Sequence, residues 1–122
     1  MQQFFADSYA IIDYLKGNKN YKKYFEENQI ITTKLNLIEV YYSTLFESTQ
    51  EMAEKYYDSF LDKCVEIGDE TLKKAMQFRY KEKTRKLSYI DTIGYQISLE
   101  KNIKFLTGDQ QFKTIKNTEF VK

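Results

Sequence analysis

Short apolar runs that recur between longer amphipathic stretches constrain this chain more than any other feature. QQFFA precedes Asp7, QIITTKL spans residues 29–35, KCVEIG 63–68, IKFLT 103–107 and TEFV 118–121. Each has the length of a strand and is rich in aromatic or β-branched residues, which suit a pleated, buried surface. Between them lie segments of helical character. SYAIIDYLKGN reads as a helix that ends near Gly17, and NYKKYFEEN as a short second one. From Asn36 to about Asp62 a single long helix is expected, with Leu37, Val40, Tyr41, Leu45 and Phe46 at helical spacing. Asp69 is placed as the N-cap of a helix through Lys86, with Leu72, Ala75, Met76 and Tyr80 on one face, and another helix opens near Ser88 or Tyr89. Strands that alternate with helices and read as near-continuous apolar runs predict a parallel sheet covered on both faces. Such sheets place their sites outside the carboxyl ends of the strands.

The 122 residues suffice for one domain, expected to span 1–122, and contain no proline and no Ser- or Gly-rich linker that would mark a boundary. A domain of this length buries roughly two-thirds of its unfolded surface, so it needs no disulfide or structural metal to hold a core. The sequence has one cysteine, Cys64, and no histidine. Their scarcity excludes Ser-His-Asp and Cys-His catalysis, Cys/His zinc sites and haem ligation by histidine. Carboxylates, hydroxyls, amides, lysines and arginines remain for chemistry, and any metal bound by oxygen alone would be a hard ion such as Mg²⁺ or Mn²⁺. No apolar run approaches the roughly 20 residues of a membrane helix, and the first residues lack a signal-peptide pattern, so a cytoplasmic protein is expected.

Four acids draw attention by position. Asp7 follows the first strand, Glu39 lies in the first turn of the helix after the second, Asp91 opens a helix, and Asp109 follows IKFLT. In a parallel sheet Asp7, Glu39 and Asp109 share the carboxyl edge, and a helix N-terminus can bring Asp91 beside them. Four neighbouring carboxylates repel one another and call for a compensating cation, which a divalent metal would supply. Each acid also has a plainer role open to it: Asp7 and Asp91 as helix caps, Asp109 as a turn residue. Glu39, among Leu37, Ile38, Val40 and Tyr41, is the hardest to explain as structure alone.

Asp7-Ser8 after a first strand, NLIEVYY with Glu39, LSYIDTIGYQIS with Asp91, and FLTGDQQF with Asp109 together resemble the PIN-domain family, most closely its small VapC-type toxin ribonucleases. The resemblance covers nearly the whole chain and is most specific over the last 36 residues. It implies a three-layer α/β/α sandwich with a central parallel sheet and an Mg²⁺- or Mn²⁺-dependent endoribonuclease. Asp7, Glu39, Asp91 and Asp109 would form the acidic quartet, using one or two ions, with Ser8, Asn36 and Thr107 supporting them. Two departures stand out: Gln111 occupies a position where many relatives carry a further acid, and Tyr95 is bulky where small residues are usual.

Charge is unevenly spread. Lys73, Lys74, Arg79, Lys81, Lys83, Arg85 and Lys86 face one acid, Glu82, a local balance of +6 that leaves the remainder near −5. This segment reads either as a solvated helix face or as a contact for the RNA backbone, with Arg79, Lys83, Arg85 and Lys86, together with Lys34, as the RNA-binding candidates. Eleven tyrosines and nine phenylalanines are more than a small core needs. Core or dimer packing is expected for those on the long helix. The resemblance implies a homodimer and an antitoxin partner. Beside the toxin ribonuclease stands a second reading, a non-catalytic PIN-like module that binds RNA or protein and uses its acids as caps. A receiver-like phosphoacceptor ranks last, because Asp7 has no acidic neighbour.

Overall fold

The computed structural model describes residues 1–122. Four strands, β1 (Gln3–Ala6), β2 (Gln29–Ile31), β3 (Lys104–Thr107) and β4 (Thr118–Phe120), form one wholly parallel sheet in the order β2-β1-β3-β4. Six helices surround it: α1 (Ser8–Leu15), α2 (Lys22–Glu26), α3 (Lys34–Glu47), α4 (Gln50–Phe60), α5 (Asp69–Lys81) and α6 (Tyr89–Glu100). This is the α/β/α sandwich expected.

The period of two along each strand divides the core between the two faces of the sheet. Phe4, Ala6, Ile30 and Leu106 pack on one face with Ala10 and Ile11 of α1, Tyr24 of α2, Leu37 and Val40 of α3, and Phe60 of α4. Phe5 and Phe105 point the other way, toward Ala75 of α5 and Ile93, Tyr95 and Ile97 of α6, with Leu87 and Phe112. Paired in register, Phe5 and Phe105 stack at 5.9 Å and are both fully buried, worth about 2–3 kcal/mol each in apolar burial. Gly94 lets α6 come down onto them: a Cβ there would stand 2.5 Å from Phe5 Cε1 and 3.3 Å from Phe105 Cε1. Tyr95 fits this core because its hydroxyl escapes to the Lys116 carbonyl at 2.9 Å.

Four expected elements differ. QIITTKL is a strand only over Gln29–Ile31, because Thr33 caps α3 and Lys34 begins that helix. KCVEIG is not a strand: it meets the sheet edge through one bridge between Cys64 and Thr32, with Thr32 N–H to the Lys63 carbonyl at 3.0 Å and Val65 N–H to the Thr32 carbonyl at 2.9 Å. The long helix is two, broken at Ser48 and Thr49. Thr49 caps α4 by accepting from Met52 N–H at 3.1 Å, and α4 folds back on α3 with Tyr41 and Tyr57 edge to face. The helix expected through Lys86 begins behind a Gly68 N-cap and stops at Lys81, so Arg79 lies on the helix while Lys83, Arg85 and Lys86 lie in the following loop. Its buried positions are Thr71 and Ala75, whereas Leu72, Met76 and Tyr80 face outward.

From β1 the chain passes through α1 and α2 to β2 on one side, and from β2 through α3 to α6 to β3 on the other. The order therefore reverses between β1 and β3, the switch point at which a sheet of this kind offers a crevice beyond its carboxyl ends.

Candidate active site

Asp7 and Asp109 leave the two strands that flank this crevice. Asp7 N–H still bonds the Leu106 carbonyl at 3.1 Å, so the first residue beyond β1 is tied to β3. Its side chain caps α1, accepting from Ala10 N–H at 2.8 Å, and also accepts from the Thr107 hydroxyl. Thr107 Oγ1 in turn accepts from Asp109 N–H at 3.0 Å, and the Asp109 carboxylate accepts from Gln111 N–H at 2.9 Å, capping a 3₁₀ turn over Gln110–Phe112. One threonine thus links both strand-end acids.

Asp91 is the third residue of α6 and closes a capping box with Ser88: Asp91 N–H to Ser88 Oγ at 3.0 Å and Ser88 N–H to the Asp91 carboxylate at 3.4 Å. Glu39 lies in the second turn of α3, not the first, because Thr33 caps that helix and Lys34 begins it. Glu39 accepts a hydrogen bond from the Ser8 hydroxyl, and Asn36 Nδ2 donates to Ser8 Oγ at 3.0 Å. Ser8, Asn36 and Thr107 are all buried.

Asp7, Asp91 and Asp109 lie within electrostatic reach of one another, and Glu39 within reach of Asp91. Burial, above all, raises the Asp7 pKa well above the ordinary carboxylate range; its two hydrogen bonds work against this, while Asp91 and Asp109 push it further up. Asp91 is raised chiefly by burial, opposed by its bonds to Ser88, with Asp109 and Glu39 adding to the rise. The ion pairs of the protein are Lys16–Glu47, Lys73–Glu70 and Arg85–Glu82, so none of the four acids has a cationic partner. An all-oxygen, uncompensated anionic set suits a hard divalent ion. As they stand, no three carboxylates converge into a ready-made cage.

The family model of the PIN domain matches residues 4–117. The chain belongs to the PIN domain family. Among solved structures, this PIN protein is similar to a toxin–antitoxin complex from Klebsiella pneumoniae, at 16% identity over 98% of this chain and 96% of that one, with a TM-score of 0.73. VapBC2 from Rickettsia felis, bound to a DNA fragment from its promoter, matches at 16% identity over 98% of both chains, with a TM-score of 0.75. Mycobacterium tuberculosis VapC20, a sarcin-ricin-loop-cleaving toxin, matches at 16% identity over 97% of this chain and 96% of that one, with a TM-score of 0.76. At this identity the likeness is one of fold. No curated protein matches the chain.

The basic residues of this PIN domain have unequal freedom. Arg85 is engaged internally: it pairs with Glu82 at 2.7 Å and donates to the Gln111 carbonyl and Thr114 Oγ1, each at 3.2 Å. Arg79 donates to the Leu87 carbonyl at 2.9 Å and lies 4.5 Å from the Tyr89 ring centroid, two residues before Asp91 in sequence. Lys83 rests on Tyr80 at 4.4 Å, and Lys34 and Lys86 are exposed. Gln111 accepts from Lys86 N–H at 3.3 Å, which binds the basic loop to the turn after Asp109. Sequence reasoning overlooked Thr33 and Ser88, although both carry the signal of a hydroxyl residue three positions before a polar one at a helix start.

Proposed function

We propose that this PIN protein is a metal-dependent endoribonuclease that hydrolyses RNA phosphodiester bonds and serves as the toxin of a toxin–antitoxin pair. The observation that carries the proposal is the group of four carboxylates, electrostatically linked through Asp91 and without a cation, at the switch point of a parallel sheet. Asp7, Glu39, Asp91 and Asp109 would hold Mg²⁺ or Mn²⁺. Once bound, the ion would supply an acidified water and charge neutralisation at the phosphate, which a chain without histidine otherwise lacks. Asp7 and Asp109 follow the two strands at the switch point, with Thr107 beside both; Asp91 and Glu39 are held by Ser88 and Ser8. Lys34, Lys83 and Lys86 are the exposed cations suited to the RNA backbone.

The fold likeness to VapC20, described as a sarcin-ricin-loop-cleaving toxin, and to two complexes with antitoxins supports this role. Two unpartnered apolar faces, Ile38, Tyr42 and Phe46 on α3 and Leu72, Met76 and Tyr80 on α5, suit a second copy and an antitoxin. No helix is long and apolar enough to cross a membrane, in keeping with a cytoplasmic toxin.

A second reading, the non-catalytic binding module, is favoured by one observation: Asp7, Asp91 and Asp109 all act as caps. Cleavage of RNA by the purified chain with Mn²⁺ separates the two. The nuclease requires cleavage that EDTA abolishes and that Asp7→Asn and Asp91→Asn lose while circular dichroism stays unchanged. Undiminished cleavage in both variants would eliminate this site.

A further inference from the structure

Glu39 is the one acid of the four held by a side-chain hydroxyl rather than by a backbone N–H. Ser8 can hold it only if its proton points toward Glu39 Oε1. Three further hydrogen bonds decide that direction. Thr33 Oγ1, the N-cap of α3, accepts from Asn36 N–H at 3.3 Å and spends its own proton on Asn36 Oδ1 at 2.6 Å. With its oxygen engaged, Asn36 presents Nδ2 to Ser8 and donates at 3.0 Å. Ser8 Oγ therefore accepts from the amide and directs its own proton to Glu39. Were the amide reversed, its oxygen would draw the Ser8 proton away and leave Glu39 facing a lone pair. Thr33, Asn36 and Ser8 are 1%, 0% and 7% exposed, so water is poorly placed to replace a missing member.

We infer that Thr33, acting through Asn36 and Ser8, is a positioning residue that fixes the donor at Glu39 and so prepares the fourth ligand of the metal site. The inference rests on the metal-nuclease reading, and two measurements on the full chain keep the two apart. The first is hydrogen exchange of the Asn36 side-chain amide, followed by ¹⁵N NMR in metal-free protein. The second is Mn²⁺ affinity without RNA, followed by the EPR signal of free Mn²⁺.

Thr33→Val removes the proton that orders the chain while nearly keeping its shape. It should speed Asn36 amide exchange at least about tenfold and weaken Mn²⁺ binding by about 10–100-fold, the usual scale for outer hydrogen-bond partners of a metal ligand. Thr33→Ser should restore both. Ser8→Ala leaves the α3 cap intact, tests the last link even if Thr33→Val folds poorly, and should weaken Mn²⁺ binding alike. Wild-type Mn²⁺ affinity in Thr33→Val or in Ser8→Ala overturns the inference, and so does a Thr33→Ser variant as impaired as Thr33→Val, which would mark a packing effect. If the wild type binds no Mn²⁺, the metal reading fails, and the exchange measurement judges the relay alone: a protected Asn36 amide that Thr33→Val exposes supports it, and an unprotected one overturns it.

Discussion

Replacing Asp7 by asparagine should abolish function and strengthen the fold. A carboxylate taken out of water costs several kcal/mol even after relaxation, and Asp7 is 1% exposed, with no cation beside it. The hydrogen bonds it accepts from Ala10 N–H at 2.8 Å and from Thr107 return about 1.5–3 kcal/mol each. Asparagine caps a helix as well as aspartate does and keeps the bond to Ala10. The difference left is a gain of about 1–2 kcal/mol in the metal-free protein at pH 7, or a melting temperature higher by about 3–8 °C. Its pH dependence has a definite sign. Because the folded pKa is raised, the native state binds more protons than the unfolded one between the ordinary aspartate range and the raised folded value. Wild-type stability therefore falls as pH rises through that window and stays reduced above it, whereas Asp7→Asn lacks this loss. Thermal unfolding of both proteins in EDTA at low salt, from pH 3 to pH 8, measures it. A variant less stable than the wild type at pH 7, or a gain of the same size at pH 3, would refute the account of an uncompensated buried charge.

Adding Mn²⁺ should reverse that ranking, raising wild-type stability by about 2.7 kcal/mol at a hundredfold excess over Kd and leaving Asp7→Asn and Asp91→Asn unmoved in the same melting assay. Gly94→Ala should cost about 1–3 kcal/mol in urea unfolding, because its Cβ meets two fully buried rings, Phe5 and Phe105, that have no room to retreat. Lys83→Ala combined with Lys86→Ala should weaken RNA binding and flatten the log–log salt dependence by about 1.4 if each lysine touches one phosphate of a single strand. Arg85→Ala should instead loosen the loop that Arg85 ties to Gln111 and Thr114, read as faster amide exchange of residues 111–114.

The order of strands and helices was legible because the apolar runs of β1 and β3 have no competing use: Phe4, Phe5, Phe105 and Leu106 can only be buried. QIITTKL was legible only in its first half. Thr32 still bridges Cys64 and gives its hydroxyl to the Ala6 carbonyl at 2.9 Å, but Thr33 becomes a helix cap, where side-chain hydrogen bonding overrides β-propensity. Thr49 breaks the long helix by the same chemistry: its hydroxyl accepts from Met52 N–H, a cap readable in advance. On α5 the period was correct and the face was not. Two small residues, Thr71 and Ala75, let the helix lie close to its neighbour, while the larger Leu72, Met76 and Tyr80 remain on the surface. Burial by size alone misreads a helix whose outer face also has work to do.

Capping and metal binding appeared in the sequence as rival explanations of the acids, yet the structure makes them parts of one arrangement. Asp7, Asp91 and Asp109 each sit at the N-terminus of a helix or 3₁₀ turn, where unpaired N–H groups point toward them. Those donors partly offset the repulsion of neighbouring carboxylates and hold each side chain in one rotamer before any ligand arrives. A carboxylate has more acceptor sites than one backbone N–H can occupy, so a cap retains lone pairs for a cation. Glu39, in the second turn of its helix, has no such N–H, and the hydroxyl of Ser8 supplies the bond instead. In the metal-free protein the four do not close into a ready-made cage, so binding an ion calls on each acid from the position in which its own donor holds it. Metal affinity should therefore be sensitive to every donor around the crevice, Thr107 and Ser88 as much as the carboxylates themselves.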